Sequence, residues 1–530
     1  MKRFNTTGLC VPHKHYMVSI DERVRQIRAM VDEGDYFSIN RGRQYGKTTT
    51  LAALERALSD DYDVISLDFQ AISTAGFSTE GKFVGAFCRI LWRKRMRLHM
   101  PRQVLADIKE LTRIGEDKAT LDRLFFALSD WCEESDKPLV LIIDEVDSAT
   151  NNQVFLDFLA QLRLQYLERE KSPDTPAFQS VILAGVTDVR HLRAKIRDED
   201  QHKVNSPWNI AADFEVDMDF SATDIAGMLA DYEADHGTGM DVDDVAQQVY
   251  DYTHGYPFLV SRVCQIVDEK LVDDGFASLE DAWSRQGVDE AVRRLLSETN
   301  TLFDSLMGKL QNYPELRGRL RALLMRGEQV AYVPDSYEQQ QLLLYGFVRI
   351  EQNKLVVANR VFEMRLYVFF VGESEADPAL RIAAGADRSL FVDEDGGLDV
   401  PRIMAHFIRD HNRIHGASGE RFLEEEGRER FLTYLSPIIN GTGTYSVEEQ
   451  TRDQHRMDIV IHWLGRRYVI ELKIWRGERY HAEGEQQIRG YLDYFDLAVG
   501  YLLSFDFRRT KEPGVERVQL GECVLFEGTV

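Results

Sequence analysis

The feature that most constrains the fold is a junction near residue 41. The segment DYFSIN (35–40) is short, partly apolar and rich in strand formers, and it runs without a linker into RGRQYGKTTTLAALERAL. A strand that stops at a glycine loop and restarts as a helix points the first backbone N–H groups of that helix at one spot, which is an anion site. Gly42, Arg43, Gln44, Tyr45 and Gly46 form the loop. Lys47 is placed to reach the β and γ phosphates of a nucleotide and Thr48 to hold Mg²⁺, with Thr49 the next hydroxyl along. The spacing departs from GxxxxGK(S/T) in one respect, because Arg41 stands where the first glycine is expected.

A second element carries the same chemistry. Leu139 to Ile143, LVLII, is a continuous apolar run suited to a strand buried on both faces, and it ends in Asp144 and Glu145. An acidic pair there fits Asp144 to bind Mg²⁺ and Glu145 to act as general base toward a water attacking ATP. SVILAGV (180–186) reads as a further strand ending at Thr187, a polar sensor candidate beside the γ phosphate, and VISLDF (64–69) as another. Strands alternating with helices predict an α/β fold, a parallel sheet covered by helices on both sides. Arg190, Arg193 and Arg197 share one side of the helix expected next, where they read as solvated charges or as a source of an arginine acting in trans in an oligomer.

At 530 residues the chain predicts three or four structural units. No apolar run approaches the roughly 18 residues a membrane span needs, and no apolar stretch follows the basic start, so a cytoplasmic protein is expected. The five cysteines are scattered without metal-site or disulfide spacing. Lys plus Arg number 64 against 88 Asp plus Glu, a net charge of −24, which argues against non-specific coating of a polyanion. A local basic cluster, Arg93, Lys94, Arg95, Arg97 and Arg102, reads equally as a phosphate grip or a solvated helix face.

The composition shifts across 373–397, where GESEADP and DEDGG mark a boundary. Beyond it, RMDIVIH (456–462) alternates as a half-buried strand, Leu464-Gly465 can turn, and RYVIELKI (467–474) returns. A two-residue turn pairs Trp463 with Arg466, and the same register puts Asp458 opposite Glu471, with Lys473 on the same face. Two carboxylates that close need a cation, so Mg²⁺ or Mn²⁺ is expected on Asp458 and Glu471, with Lys473 activating water against a phosphodiester. Glu449 is another possible metal-side carboxylate.

RGRQYGKTT, LVLIIDE, SPWNIAADFEVDMDF (206–220) and THGYPFLVSRVC (253–264) resemble the AAA-like ATPases related to STAND NTPases. That resemblance implies a core over 1–220, a helical lid over 221–300 with Pro257 in the GxP element near adenine, and a winged helix over 301–372. Val348 to Ala358 alternates as its two-stranded wing, turning at Gln352-Asn353. The internal packing role of such a winged helix is placed ahead of DNA binding. Residues 398–530 resemble the PD-(D/E)XK nuclease superfamily, with Asp458 as the D, Glu471-Leu472-Lys473 as the E-X-K, and Gln487 to Tyr491 as its QxxxY element. Met457 stands where that family's proline is usual. The resemblance also implies an acidic residue from an earlier helix, Glu426 or Glu429. Taken together the expectation is an ATPase regulating a metal-dependent nuclease on DNA or RNA. The alternative is a scaffold ATPase whose nuclease-like domain only binds nucleic acid or a partner protein.

Overall fold

The computed structural model describes the chain except residues 1, 151, 173, 187–188, 190–206, 274, 326–329, 374–387, 394, 416–423, 440–442, 451–455, 465, 476–477, 496 and 509–511. Thr187, Arg190, Arg193, Arg197 and most of the expected boundary segment therefore lie outside the described residues. The chain divides into two compact units. The first comprises Met1–Tyr250, His254–Gln265 and Gln339–Phe347, and the second comprises Asp251–Thr253, Ile266–Glu338 and Val348–Val530.

The first unit starts with two short parallel strands, β1 (Arg3–Phe4) and β2 (His15–Tyr16). It continues through α1 (Asp21–Asp32), β3 (Tyr36–Asn40), α2 (Lys47–Leu58), β4 (Asp63–Asp68), α3 (Glu80–Lys94), α4 (Arg102–Leu111), α5 (Leu121–Glu134), β5 (Leu139–Asp144), α6 (Gln153–Lys171) and β6 (Ser180–Gly185). Among the described residues the last four strands form an all-parallel sheet in the order β3-β6-β5-β4. Strand β5 shows why an uninterrupted apolar run was needed. Leu139, Leu141 and Ile143 pack into a core with α3, α4, α5 and α6, while Val140 and Ile142 pack with α1 and α2 on the other face. The expected α/β architecture is thus present in this unit.

PWNIAADFEVDMDF (207–220) runs beside β3. Ala212 bridges Phe37, the Trp208 indole donates to the buried Ser38 hydroxyl at 2.8 Å, and the Arg23 guanidinium donates to the Asp217 and Asp219 carbonyls. Helix α7 (Ala222–His236) opens with a capping box in which Ser221 and Asp224 satisfy each other's backbone N–H groups. Its Tyr232 packs on Phe4 and Tyr16, so the N-terminal strands are tied down by aromatic contacts. Helices α8 (Val242–Thr253) and α9 (Pro257–Lys270) follow, and Pro257 opens α9, where a missing N–H costs nothing.

The second unit contains α10 (Leu279–Ala282), α11 (Arg285–Ser297), α12 (Thr301–Asn312), α13 (Pro314–Met325), β7 (Val330–Ala331), β8 (Val348–Glu351), β9 (Lys354–Val357) and α15 (Arg360–Glu373); α14 (Tyr337–Leu344) begins in it and passes into the first unit. Strands β7, β9 and β8 form a small antiparallel sheet. The hairpin turns at Gln352 and Asn353 as the alternation implies, both with positive φ (48° and 63°), the conformation that matches strand twist in a two-residue turn.

Then come α16 (Val400–His415), α17 (Glu424–Ile439), β10 (Gly443–Gln450), β11 (Arg456–Trp463), β12 (Arg466–Ile474), α18 (Glu478–Phe495), β13 (Val499–Phe505), β14 (Gly514–Leu520) and β15 (Cys523–Thr529). They build a mixed sheet ordered β10-β11-β12-β13-β15-β14, in which β10, β11 and β12 are antiparallel and β13 joins β12 in parallel after the α18 crossover.

Backbone approach is close at Gly255, where φ is +71° and an added Cβ would lie 1.9 Å from the Phe220 carbonyl oxygen. Phe220 N–H donates back to the Gly255 carbonyl at 2.9 Å. Gly255→Ala is expected to destabilise the first unit by about 3 kcal/mol, from the positive φ and the collision together. Urea unfolding of wild type and variant checks this, and equal midpoints would contradict it.

Candidate functional sites

At the β3–α2 junction Gln44 and Gly46 both adopt left-handed backbone, φ 59° and 75°, which turns the loop back over the start of α2. The Lys47 ammonium is buried and donates to the Arg41 and Gly42 carbonyls, each at 2.8 Å. Burial lowers its pKa, and Asp147, Glu145 and Asp144 oppose that shift. Arg41, which stands where the first glycine of the pattern is expected, thus supplies a backbone acceptor to Lys47 just as Gly42 does.

Parallel pairing brings the end of β5 beside this loop. Asp144 Oδ2 accepts from the Thr48 hydroxyl at 2.9 Å and Oδ1 from the Glu145 N–H at 2.9 Å. Asp68 is the register partner of Asp144 on β4. Burial raises the Asp144 carboxyl, and burial followed by the Asp144 charge raises Glu145. Glu145 sits at φ 55°, a left-handed conformation costing on the order of 1 kcal/mol for a non-glycine residue. A hydroxyl and carboxylates on hard oxygen donors fit Mg²⁺. Thr49 does not join them: its hydroxyl accepts from the Cys10 N–H at 3.2 Å, linking α2 to the N-terminal segment.

Several contacts around this site escaped the sequence reading. Asp147 accepts from the Val186 N–H at 2.7 Å, tying the ends of β5 and β6 together, and its only signal was a third acid in IIDEVD. The Tyr256 hydroxyl donates to the Arg43 carbonyl, and its ring lies 4.3 Å from that of Tyr45. Tyr45 in turn bonds to Asp219, whose carboxyl is pushed up to about 6 by burial and then by Asp217. Pro257 sets the start of α9 one residue beyond Tyr256, and Gly346 comes near both tyrosine rings. In the basic cluster, Lys94 donates to the Ser66 carbonyl and Arg95 stacks over Trp92, so part of that charge has structural duties.

In the second unit, β11 and β12 pair from Trp463 with Arg466 to Ile459 with Ile470, the register expected from a two-residue turn. Asp458 and Glu471 follow one step further, both buried. Asp458 Oδ2 accepts from the Leu472 N–H at 2.8 Å, and Glu471 Oε1 meets the Lys473 ammonium at 2.8 Å. Glu471 Oε2 is buried and has no hydrogen-bond partner among the described residues. Burial, then the Asp458 charge, pushes the Glu471 carboxyl up to about 8, and the same causes with Glu471 and Asp458 raise the Tyr491 hydroxyl. Tyr491 is buried on α18 while Gln487, one turn earlier, is exposed.

Neither glutamate candidate on α17 reaches the pair. Glu426 is exposed and Glu429 is held by Arg321 at 2.7 Å. The helix presents Arg428 instead, buried and 3.2 Å from Asp458 Oδ1. Glu449 faces Met457 in the β10–β11 register. Among the described residues no group of three His, Cys, Asp or Glu side chains is arranged to hold a metal. The donor set is thus two carboxylates, one oxygen of them orphaned, which suits a hard cation completed by water.

Residues 13–368 match the model of the AAA-like domain family, and the chain belongs to that family. The class defined by the fold and the first site is a P-loop ATPase domain. An uncharacterised WD repeat-containing protein of Synechocystis is 23% identical over 374 residues, covering 67% of this chain but only 29% of that protein. Similar solved structures include a Walker-type ATPase of Pyrococcus abyssi (TM-score 0.47, 13% identity, 69% of this chain, 99% of that one). The ORC2 protein of Aeropyrum pernix (TM-score 0.35, 13% identity, 69% and 98%) and the RuvB branch migration motor of Thermotoga maritima (TM-score 0.32, 15% identity, 64% and 92%) are others. The family match ends before the β10–β15 sheet. No described helix is long and apolar enough to cross a membrane.

Because Glu471 is raised in the folded state, its contribution favours folding below its ordinary value of 4.5 and is lost as pH rises toward about 8. Glu471→Gln removes that loss, so the variant should gain stability over wild type progressively across this window. Thermal melts of both proteins in metal-free buffer at pH 5 to 8 test it; a gap independent of pH would refute the assignment.

Proposed function

We propose that this chain binds and hydrolyses ATP at the β3–α2 loop and uses that cycle to regulate a metal-dependent nuclease site on β11 and β12. The observation that carries the first half is the convergence of Lys47, Thr48, Asp144 and Glu145 at the ends of two parallel strands. Lys47 would exchange its loop carbonyls for the β and γ phosphates, and Thr48 and Asp144 would hold Mg²⁺, which supplies charge neutralisation on the phosphates. Glu145, half-buried beside Asp144, would orient and deprotonate the attacking water. Thr187 as sensor and Pro257 near the adenine belong to this reading, as do the core, lid and winged-helix segments up to 372. Helices α12, α13, α14 and α15 and the small β7-β9-β8 sheet support the winged-helix reading of 301–372, with residues 339–347 belonging to the ATPase unit in keeping with an internal role.

For the second half, buried Asp458 and Glu471 with Lys473 support a PD-(D/E)XK-type site acting on DNA or RNA. The carboxylates would hold Mg²⁺ or Mn²⁺, which supplies Lewis acidity toward a phosphodiester, and Lys473 would help position or deprotonate water. Gln487, exposed one turn before Tyr491, is open to a substrate. The scaffold reading, in which this domain only binds nucleic acid or a partner protein, is favoured by one specific observation: Arg428 already neutralises Asp458.

Lys47→Ala should abolish ATP hydrolysis and weaken nucleotide binding, whereas Glu145→Gln should retain ATP without turning it over. Nucleotide titration and phosphate release measure both, and turnover near wild type in Lys47→Ala would remove the first assignment.

Asp458→Ala or Glu471→Ala should abolish metal-dependent cleavage while ATP turnover stays within a few fold. Lys473→Ala should keep metal binding and lose at least about two orders of magnitude in rate. Cleavage of single- and double-stranded DNA and RNA, with and without ATP, decides. Wild type that cuts nothing under any condition leaves the scaffold reading standing, and a Glu471→Ala variant that cuts normally rules out this site.

A further inference from the structure

We propose that Arg428 is a built-in counter-cation occupying the metal's place at Asp458, so that the carboxylate site admits a divalent ion only when this arginine withdraws. The inference rests on reading Asp458 and Glu471 as metal-binding groups. Helix α17 delivers Arg428 to the floor of the site, where the residue is 6% exposed and its Nη2 lies 3.2 Å from Asp458 Oδ1. The other oxygen of Asp458 accepts from the Leu472 N–H, so both are engaged by donors. Glu471 is engaged on one side by Lys473, leaving Oε2 as a buried oxygen without a partner among the described residues.

Charge explains why an ion and this arginine compete. Among the described residues, Asp458 and Glu471 are matched here by Arg428 and Lys473, so each carboxyl group already has a cationic neighbour. A divalent ion bound to Asp458 would place two further positive charges a few ångströms from a guanidinium that burial prevents water from screening. Arginine does not shed its proton at any ordinary pH, so relief requires movement, not deprotonation. The neighbouring Glu429 is anchored to Arg321 at 2.7 Å, which fixes the turn of α17 that carries Arg428. Anything that shifts this turn would therefore change metal affinity without touching a carboxylate. The orphaned Glu471 Oε2 marks where the ion would first find a ligand. The site is thereby held ion-paired and unable to cleave until Arg428 leaves.

The test is Mn²⁺ binding by the full-length protein without nucleotide, followed through the electron paramagnetic resonance signal of free Mn²⁺. Arg428→Met should bind Mn²⁺ about ten-fold or more tightly than wild type, the direction set by removing a like charge beside the ion. Mn²⁺ should also raise its melting temperature more than that of wild type. Arg428→Gln, which keeps a donor for Asp458 without the charge, should show the same gain and covers the case in which the methionine variant does not fold. Adding Asp458→Asn to either should erase the gain; a gain that survives it comes from another site and overturns the proposal. Wild type that binds Mn²⁺ and cuts nucleic acid, with neither Arg428 variant binding more tightly, overturns the proposal and leaves the nuclease reading intact. Absence of Mn²⁺ binding in every variant overturns both.

Discussion

Burial of both faces of a parallel sheet is the constraint on which the first unit depends. Once β5 must satisfy two cores, with Leu141 on one side and Ile142 on the other, every connection has to cross over through a helix, and all strands end at the same edge. That edge is where β3 turns into the phosphate-type loop and β5 stops at Asp144. The proximity of Thr48 to Asp144, separated by 96 positions in the chain, follows from the sheet order. The buried ammonium of Lys47 then has a defined surrounding: loop carbonyls that accept its protons and three acids that offset its desolvation.

The second unit reaches a buried charged site by a different route. Its carboxylates come from neighbouring antiparallel strands, so a two-residue turn sets their alignment and a parallel neighbour, β13, seals the far side. Antiparallel pairing makes such a site local in sequence, 13 residues from Asp458 to Glu471. It also makes the site dependent on whatever helix closes it. Here that helix contributes a cation, Arg428, 3.2 Å from Asp458 Oδ1.

Legibility tracked the range of the interaction. The strand–loop–helix junction, the β11–β12 register and the Gln352-Asn353 turn were all readable, because each is governed by hydrogen bonding and φ/ψ preferences within a few residues. The acid on the preceding helix was not. EEEGRER offers glutamates and arginines alternately around a helix, and which of them points inward depends on how α17 rotates against the sheet. The rotation turned Glu426 to solvent, gave Glu429 to Arg321 and put Arg428 on Asp458. Thr49 is a similar case: a hydroxyl adjacent to the motif was claimed by the backbone of a segment 39 positions away.

The sequence by itself determined that this chain carries a P-loop-type nucleotide site with an acidic strand end, and that Asp458, Glu471 and Lys473 share one face of a hairpin. These follow from period, turn chemistry and the N–H groups that a helix start leaves open. Only the tertiary structure decided the electrostatic state of those sites. Burial and through-space neighbours set charge, and neither is encoded locally: Tyr45 with Asp219 and Tyr256, Asp147 bracing β6, and above all Arg428 against Asp458 were brought together by packing between elements far apart in the chain.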